Sequence, residues 1–151
     1  LLLGTMPSPR SRAAGFYYAH PQNRFWPVLA AVYGEPVPAD DAARRALILA
    51  HGLALWDVLQ SCEIRGASDA SIQKAVPNDI PALLQRAPIT RVLCTGQAAG
   101  RLYKQLVEPW TGLPCTILPS TSPANCRMPA DTLVLAYSAA LTGRAPSSSC
   151  E

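Results

Sequence analysis

The sequence has only two histidines, His20 and His51, and neither has a second plausible ligand at metal spacing. Its five cysteines, Cys62, Cys94, Cys115, Cys126 and Cys150, form no CxxC pair. That argues against a zinc ribbon or a thioredoxin-like motif, and the odd count argues against a disulfide framework. No metal site and no cofactor are expected, and the expected compartment is the reducing cytosol, hence a cytoplasmic protein. The phosphate-cradling patterns GxxxxGK[ST] and GxGxxG are absent, so an ATPase or dinucleotide-binding reading has no support. The nucleophile elbow GxSxG is absent as well. Near the expected rim of the strands stand Asp57 and Asp69, and a carboxylate pair for glycoside hydrolysis is hard to assemble from them. Asp57 is expected to do ordinary hydrogen bonding. No apolar run approaches the length of a bilayer, the longest candidates being segments such as residues 53–59, so a soluble protein without a membrane partner is expected. The opening "LLLGT" lacks the layout of a signal peptide and reads as a strand entered mid-element, so native residues are expected ahead of Leu1.

What is present is a chain of 151 residues, the size of one domain, with 49% hydrophobic and 15% charged residues. The net charge of +3, from 13 basic and 10 acidic side chains, permits a phosphate-bearing partner without demanding one. Short apolar runs alternate with helical periodicities. The runs "LLLG", "LALWDVL", "RVLCTG" and "PCTILP" read as four strands, with Cys94 and Cys115 as small buried apolar groups inside them. The segments "RFWPVLAAVYG", "DDAARRALILAHG", "QAAGRLYKQLV" and "PADTLVLAYSAALTG" read as helices, and Asn78 is placed as the cap of "DIPALLQRA". This alternation predicts a three-layer α/β/α fold with a short, mostly parallel four-stranded sheet. The boundaries drawn are residues 1–143 for one domain and residues 144–151, "APSSSCE" included, for a loose tail.

In such sheets ligands gather beyond the carboxyl ends of the strands. There the chain carries "GTMPSPRS", "QSCEIRGASDAS", "TGQAAG" and "PSTSPANCRMP". The first and last are rich in hydroxyls, proline and backbone donors, suited to phosphate or a polar ring. Between them stands "GFYYAHPQNRFWP", with five aromatic residues, a histidine and an asparagine in one irregular segment, bracketed by Arg10, Arg12 and Arg24. Taken alone, "NRFW" is a helix start with Phe25 and Trp26 in the core and Asn23 as cap, and "PSTSPAN" is a serine-capped turn. "CEIRGASDAS" reads as a rim loop, with Arg65 available to phosphate.

In order, "GTMPS", "YYAHPQNRFWP" and "LPSTSPAN" resemble the uracil-DNA glycosylase superfamily. The resemblance is strongest to its hypoxanthine-DNA (deoxyinosine) glycosylase branch, through "PQNRFW", "ALWDVLQSCEIRGASDASI", "VPNDI" and "LPSTSPAN", and it runs over residues 1–141. It implies a monofunctional enzyme that flips a deaminated base, hypoxanthine first, out of damaged DNA and hydrolyses the N-glycosidic bond. Many uracil glycosylases orient the attacking water with an acid or amide two residues after the first-motif glycine; here that position is Met6. The resemblance gives the essential amide to Asn23 instead, holding the water, the leaving base, or both. It also puts Leu118 where other branches open the last motif with a polar residue. Met6, Pro7, Ser8, Phe16 and Tyr18 are assigned to the base pocket, Tyr18 as the stacking aromatic. Arg10, Arg12, Ser120, Thr121, Ser122, Asn125 and Arg127 are assigned to DNA. A monomer is expected. The alternatives are a uracil- or xanthine-preferring enzyme of the same fold and a non-catalytic nucleic-acid-binding module.

Overall fold

A computed structural model describes residues 1–64 and 72–143. The expectations for Arg65, Asp69 and the 144–151 tail fall outside those residues. Six strands and seven helices are ordered along the described chain as β1 (Leu2–Gly4), α1 (Pro9–Ala14), α2 (Phe25–Tyr33), α3 (Asp41–Ala50), β2 (Leu55–Asp57), β3 (Leu59–Ile64), β4 (Ile72–Pro77), α4 (Ile80–Arg86), β5 (Val92–Thr95), α5 (Gln97–Leu106), α6 (Glu108–Thr111), β6 (Cys115–Leu118) and α7 (Ala130–Thr142).

Four of the strands form the expected parallel sheet, in the order β2-β1-β5-β6. Its strands are apolar on both faces because helices cover both. Successive side chains alternate, so Leu2 and Leu93 join α2, α3 and α7 in one core, while Leu3, Val92 and Cys94 join Ile80 and α5 in the other. Phe25 and Trp26 lie in the first core, as their helical spacing predicts. Full burial of a side chain such as Phe25 stabilises by roughly 2–3 kcal/mol. Cys94 is fully buried, whereas Cys115 at the start of β6 is half-buried.

The second apolar run departs from expectation. "LALWDVL" does not make one strand: β2 ends at Asp57, and from Leu59 the chain enters β3, which pairs antiparallel with β4 outside the main sheet. The polar "QSCEI" had been expected as loop, and β4 had not been expected at all. Residues 9–14, expected as part of the first turn, coil into α1, capped by the Ser8 hydroxyl. The cap of α4 is Asp79, whose carboxylate accepts from the Ala82 amide. Asn78, expected there, instead donates through Nδ2 to the carbonyls of Asp57 (2.9 Å) and Leu59 (3.2 Å) and pins the turn from β2 into β3.

From β1 the chain moves outward to β2, then crosses back to β5 and β6 on the other side. The sheet order therefore reverses between β1 and β5, and a crevice is expected above their carboxyl ends, at Gly4 and Thr95.

Candidate active site

Asn23 is held from two directions. Its own amide N–H donates to the His20 carbonyl at 2.9 Å, closing the "HPQN" turn. Its side-chain Oδ1 accepts from the backbone amide of Phe25 (2.9 Å), the first residue of α2, and from the hydroxyl of Thr121 (2.8 Å) in the loop after β6. The Arg24 amide donates to the Thr121 carbonyl (3.0 Å), and the Arg24 guanidinium reaches the carbonyls of Asn125 (2.8 Å) and Met128 (2.5 Å). The helix-capping role and the binding-loop role of Asn23 thus coexist. They consume both acceptor positions of its oxygen, and among the described residues nothing accepts from its Nδ2. What Asn23 can offer a ligand is a pair of N–H donors.

Tyr18 lies against the carboxyl ends of β1 and β5. Its ring stacks on Phe25 with centroids 3.9 Å apart and planes 12° from parallel, and its hydroxyl meets Thr95 Oγ1 at 3.0 Å. The Tyr18 backbone is left-handed, φ 54°, a conformation that costs a non-glycine residue about 1 kcal/mol and is held by the packing around it. Burial raises its phenol above the ordinary 10, so it stays neutral. Gly4 lies directly below. A Cβ there would fall 2.6 Å from Asp57 Oδ1 and 3.2 Å from the Tyr18 hydroxyl, so only glycine fits. Phe16 belongs elsewhere: it packs on Trp26 (5.9 Å) with the guanidinium groups of Arg44 and Arg45 within 6 Å. Of the two aromatics assigned to the pocket, Tyr18 lies beside Gly4 and Asp57, while Phe16 packs against core residues.

Sequence reasoning placed Asp57 near the rim of the strands but gave it only ordinary hydrogen bonding. Asp57 ends β2 in register with Gly4 and is only 7% exposed. The expected ordinary hydrogen bonding is not what its carboxylate does: among the described residues no donor reaches it. Burial pushes its pKa from 3.8 up to about 6, with Arg12 pulling part of the way back. An acid closing an otherwise apolar run, "LALWD", was the available signal.

The first-motif turn brings Met6 against Cys62 of β3, the two sulfurs 3.1 Å apart, so Met6 forms a wall on the β3 side. Pro7 is half-buried, whereas Ser8 is exposed and spent on the α1 cap. Arg10 and Arg12 on α1 and Arg127 beyond the last loop are exposed. In that loop Ser120 Oγ accepts from the Ser122 amide, Ser122 Oγ accepts from Ala124, and Asn125 Nδ2 donates to the Ser120 carbonyl. Among the described residues neither serine hydroxyl donates to a partner. Thr121 differs: it is 1% exposed and its hydroxyl is committed to Asn23, so a direct phosphate contact, as expected from the sequence, is corrected to a bracing role. Leu118 is buried in the core. A shallow groove of about 540 Å³ lined by Gln97, Arg101, Lys104, Gln105 and Ile117 shares none of these residues. Among the described residues no three His, Cys, Asp or Glu side chains converge to hold an ion. No helix there is long and apolar enough to cross a membrane.

The ordered motifs and this geometry agree with comparisons to known proteins. The chain is 33% identical over 129 residues to a hypoxanthine DNA glycosylase of Methanosarcina acetivorans, covering 84% of this chain and 80% of the relative. It is 32% identical, with the same coverage, to a hypoxanthine DNA glycosylase of Methanosarcina barkeri. A solution NMR structure of a candidate uracil DNA glycosylase from Methanosarcina acetivorans superposes with a TM-score of 0.72 at 29% identity, covering 91% of this chain and 87% of that one. The uracil DNA glycosylase superfamily profile matches residues 1–140, and the chain belongs to that superfamily.

Proposed function

We propose that this protein is a monofunctional DNA glycosylase that everts a deaminated base, hypoxanthine first, and hydrolyses its N-glycosidic bond. The observation that carries the reading is the Asn23 amide, fixed by Thr121 and the start of α2 so that its N–H donors are the free end. Eversion costs a few kcal/mol, least at a mismatched or damaged pair, so a lesion enters the crevice more readily than a paired base. Tyr18, braced from beneath by Phe25, supplies an aromatic platform beside the base. As the sugar gains oxocarbenium character, charge builds on the departing base, and Asn23 Nδ2 donates to an acceptor on that base where charge accumulates.

With its oxygen doubly occupied, Asn23 is assigned to donating to the leaving base rather than to accepting from the attacking water. The exposed Arg10, Arg12 and Arg127, with the hydroxyls of Ser120 and Ser122, are assigned to phosphates flanking the everted nucleotide. The hypoxanthine preference rests on the two similar Methanosarcina proteins and on Met6 at the position that many uracil glycosylases give to a water-orienting acid or amide. The test is an excision assay on duplexes bearing deoxyinosine or deoxyuridine, wild type beside Asn23→Ala. Faster release from deoxyinosine and a loss of more than about tenfold on substitution are expected; salt-sensitive binding without an abasic product would overturn the reading.

A further inference from the structure

We propose that Asp57 is a second catalytic residue, the proton donor to the departing base. This rests on the glycosylase reading above. The observation is a carboxyl group on a residue only 7% exposed that no donor among the described residues reaches, its oxygens keeping only slight solvent access. Buried carboxyls ordinarily take hydrogen bonds or ion pairs, because removing an unpaired one from water is costly. Here Asn78 fixes the carbonyls of Asp57 and Leu59, the Asp57 residue is 7% exposed, and among the described residues nothing donates to its carboxylate. Its Oδ1 would lie 2.6 Å from a Gly4 Cβ, so it overhangs the strand end where ligands of this fold collect. The charged and titratable groups acting on it are Arg12 from α1 and the hydroxyls of Tyr17 and Tyr18 from the following turn. Only Arg12 favours the ionised form, and it is exposed. Insertion of a base removes the remaining solvent and shifts the group further toward the neutral acid.

The chemistry this allows is balanced. The N-glycosidic bond breaks with its electron pair going to the base, while the Asp57 proton passes to a ring nitrogen of that base, N7 being the most basic one in a 6-oxopurine. Water adds to C1′ of the sugar and releases its proton to solvent, from which Asp57 is recharged. Asn23 and Asp57 then divide the work, the amide donating hydrogen bonds and the carboxyl a proton.

The test uses single-turnover excision from a deoxyinosine duplex between pH 5 and 8, together with binding to a duplex carrying a non-cleavable 2′-fluoroarabino analogue of deoxyinosine. The wild-type rate is expected to fall with rising pH. Asp57→Asn, which keeps the shape but cannot supply the proton, is expected to lose about 100-fold or more in rate and to abolish the pH dependence, with affinity changed less than about threefold. Circular dichroism establishes that the variant is folded. A wild-type rate that is flat or rises with pH, a loss below about tenfold, or affinity falling in step with rate each overturns the assignment of Asp57 alone. A wild type that releases no base from any duplex overturns the glycosylase reading with it.

Discussion

Thr121 and Asn23, 98 residues apart in sequence, are joined by a hydrogen bond of 2.8 Å in which the threonine hydroxyl donates to the amide oxygen. The bond ties the loop after β6 to the entry of α2 and sets which end of the amide faces outward. Thr121→Val keeps the volume and removes the donor, freeing the amide to rotate. The expected result is a loss of about 1 kcal/mol in stability and of about tenfold in excision rate, recovered by Thr121→Ser. Urea denaturation and single-turnover kinetics measure the two effects separately.

Tyr18 makes two contacts that substitution can separate. Tyr18→Phe keeps the stack on Phe25 and deletes the bond to Thr95, so about 1 kcal/mol of stability is expected to go while excision stays within about fivefold of wild type. Tyr18→Ala removes the platform and opens a cavity over Phe25. Rate and affinity for a deoxyinosine duplex are then both expected to fall by about tenfold or more. An alanine variant with unimpaired affinity would remove Tyr18 from the base pocket.

The parallel sheet and its covering helices were legible because their signals are local: apolar runs of strand length, separated by segments of helical period and closed by glycine or proline. The β3–β4 hairpin was not, because its residues alternate irregularly between buried and exposed, with register shifts at Leu59 and Ser61 that erase the period of two. Asn23 was singled out through the resemblance carried by "PQNRFW"; taken alone it reads as a cap, and its bond to Thr121, 98 residues away, has no local signal. Asp57 was not singled out in this way. Its isolation depends on Gly4 in the adjacent strand, on Asn78 taking the nearby carbonyls, and on the absence of any donor, none of which a run of seven letters contains. Asn78 itself was misassigned for a related reason: it and Asp79 are both good helix caps, and only the position of the β2–β3 turn decides between them.

Gly100 tests the packing of helix on sheet apart from the chemistry. A Cβ at this position of α5 would fall 2.3 Å from Ile117 Cδ1 on β6, closer than any side chain tolerates without movement. Gly100→Ala is expected to destabilise by about 1–3 kcal/mol despite the better helix propensity of alanine. Ile117→Ala, by removing both Cδ1 and the Cγ1 atom that would lie 2.4 Å away, should make the double variant less destabilised than the sum of the two single changes. Denaturation midpoints of the four proteins give the coupling directly.

Asp57 links function to stability through pH. Its pKa is about 6 in the folded chain against an ordinary 3.8, so between those values the folded state holds a proton that the unfolded state has released. Stability therefore falls as pH rises through that window, and above about pH 6 the ionised, buried carboxylate costs on the order of 2 kcal/mol. Below about pH 4 the group is protonated in both states and the cost vanishes. Asp57→Asn cannot ionise. It is expected to raise the melting temperature at pH 8 by a few degrees, about 1 kcal/mol once the burial of an unpartnered amide is set against the gain, and to leave it unchanged near pH 4. A substitution that stabilises the fold while removing activity is what a strained catalytic acid predicts, since a merely structural aspartate would lose stability on replacement. Thermal melts of both proteins at the two pH values decide it: a variant less stable than wild type at pH 8 would mean that the carboxylate has a partner that holds it.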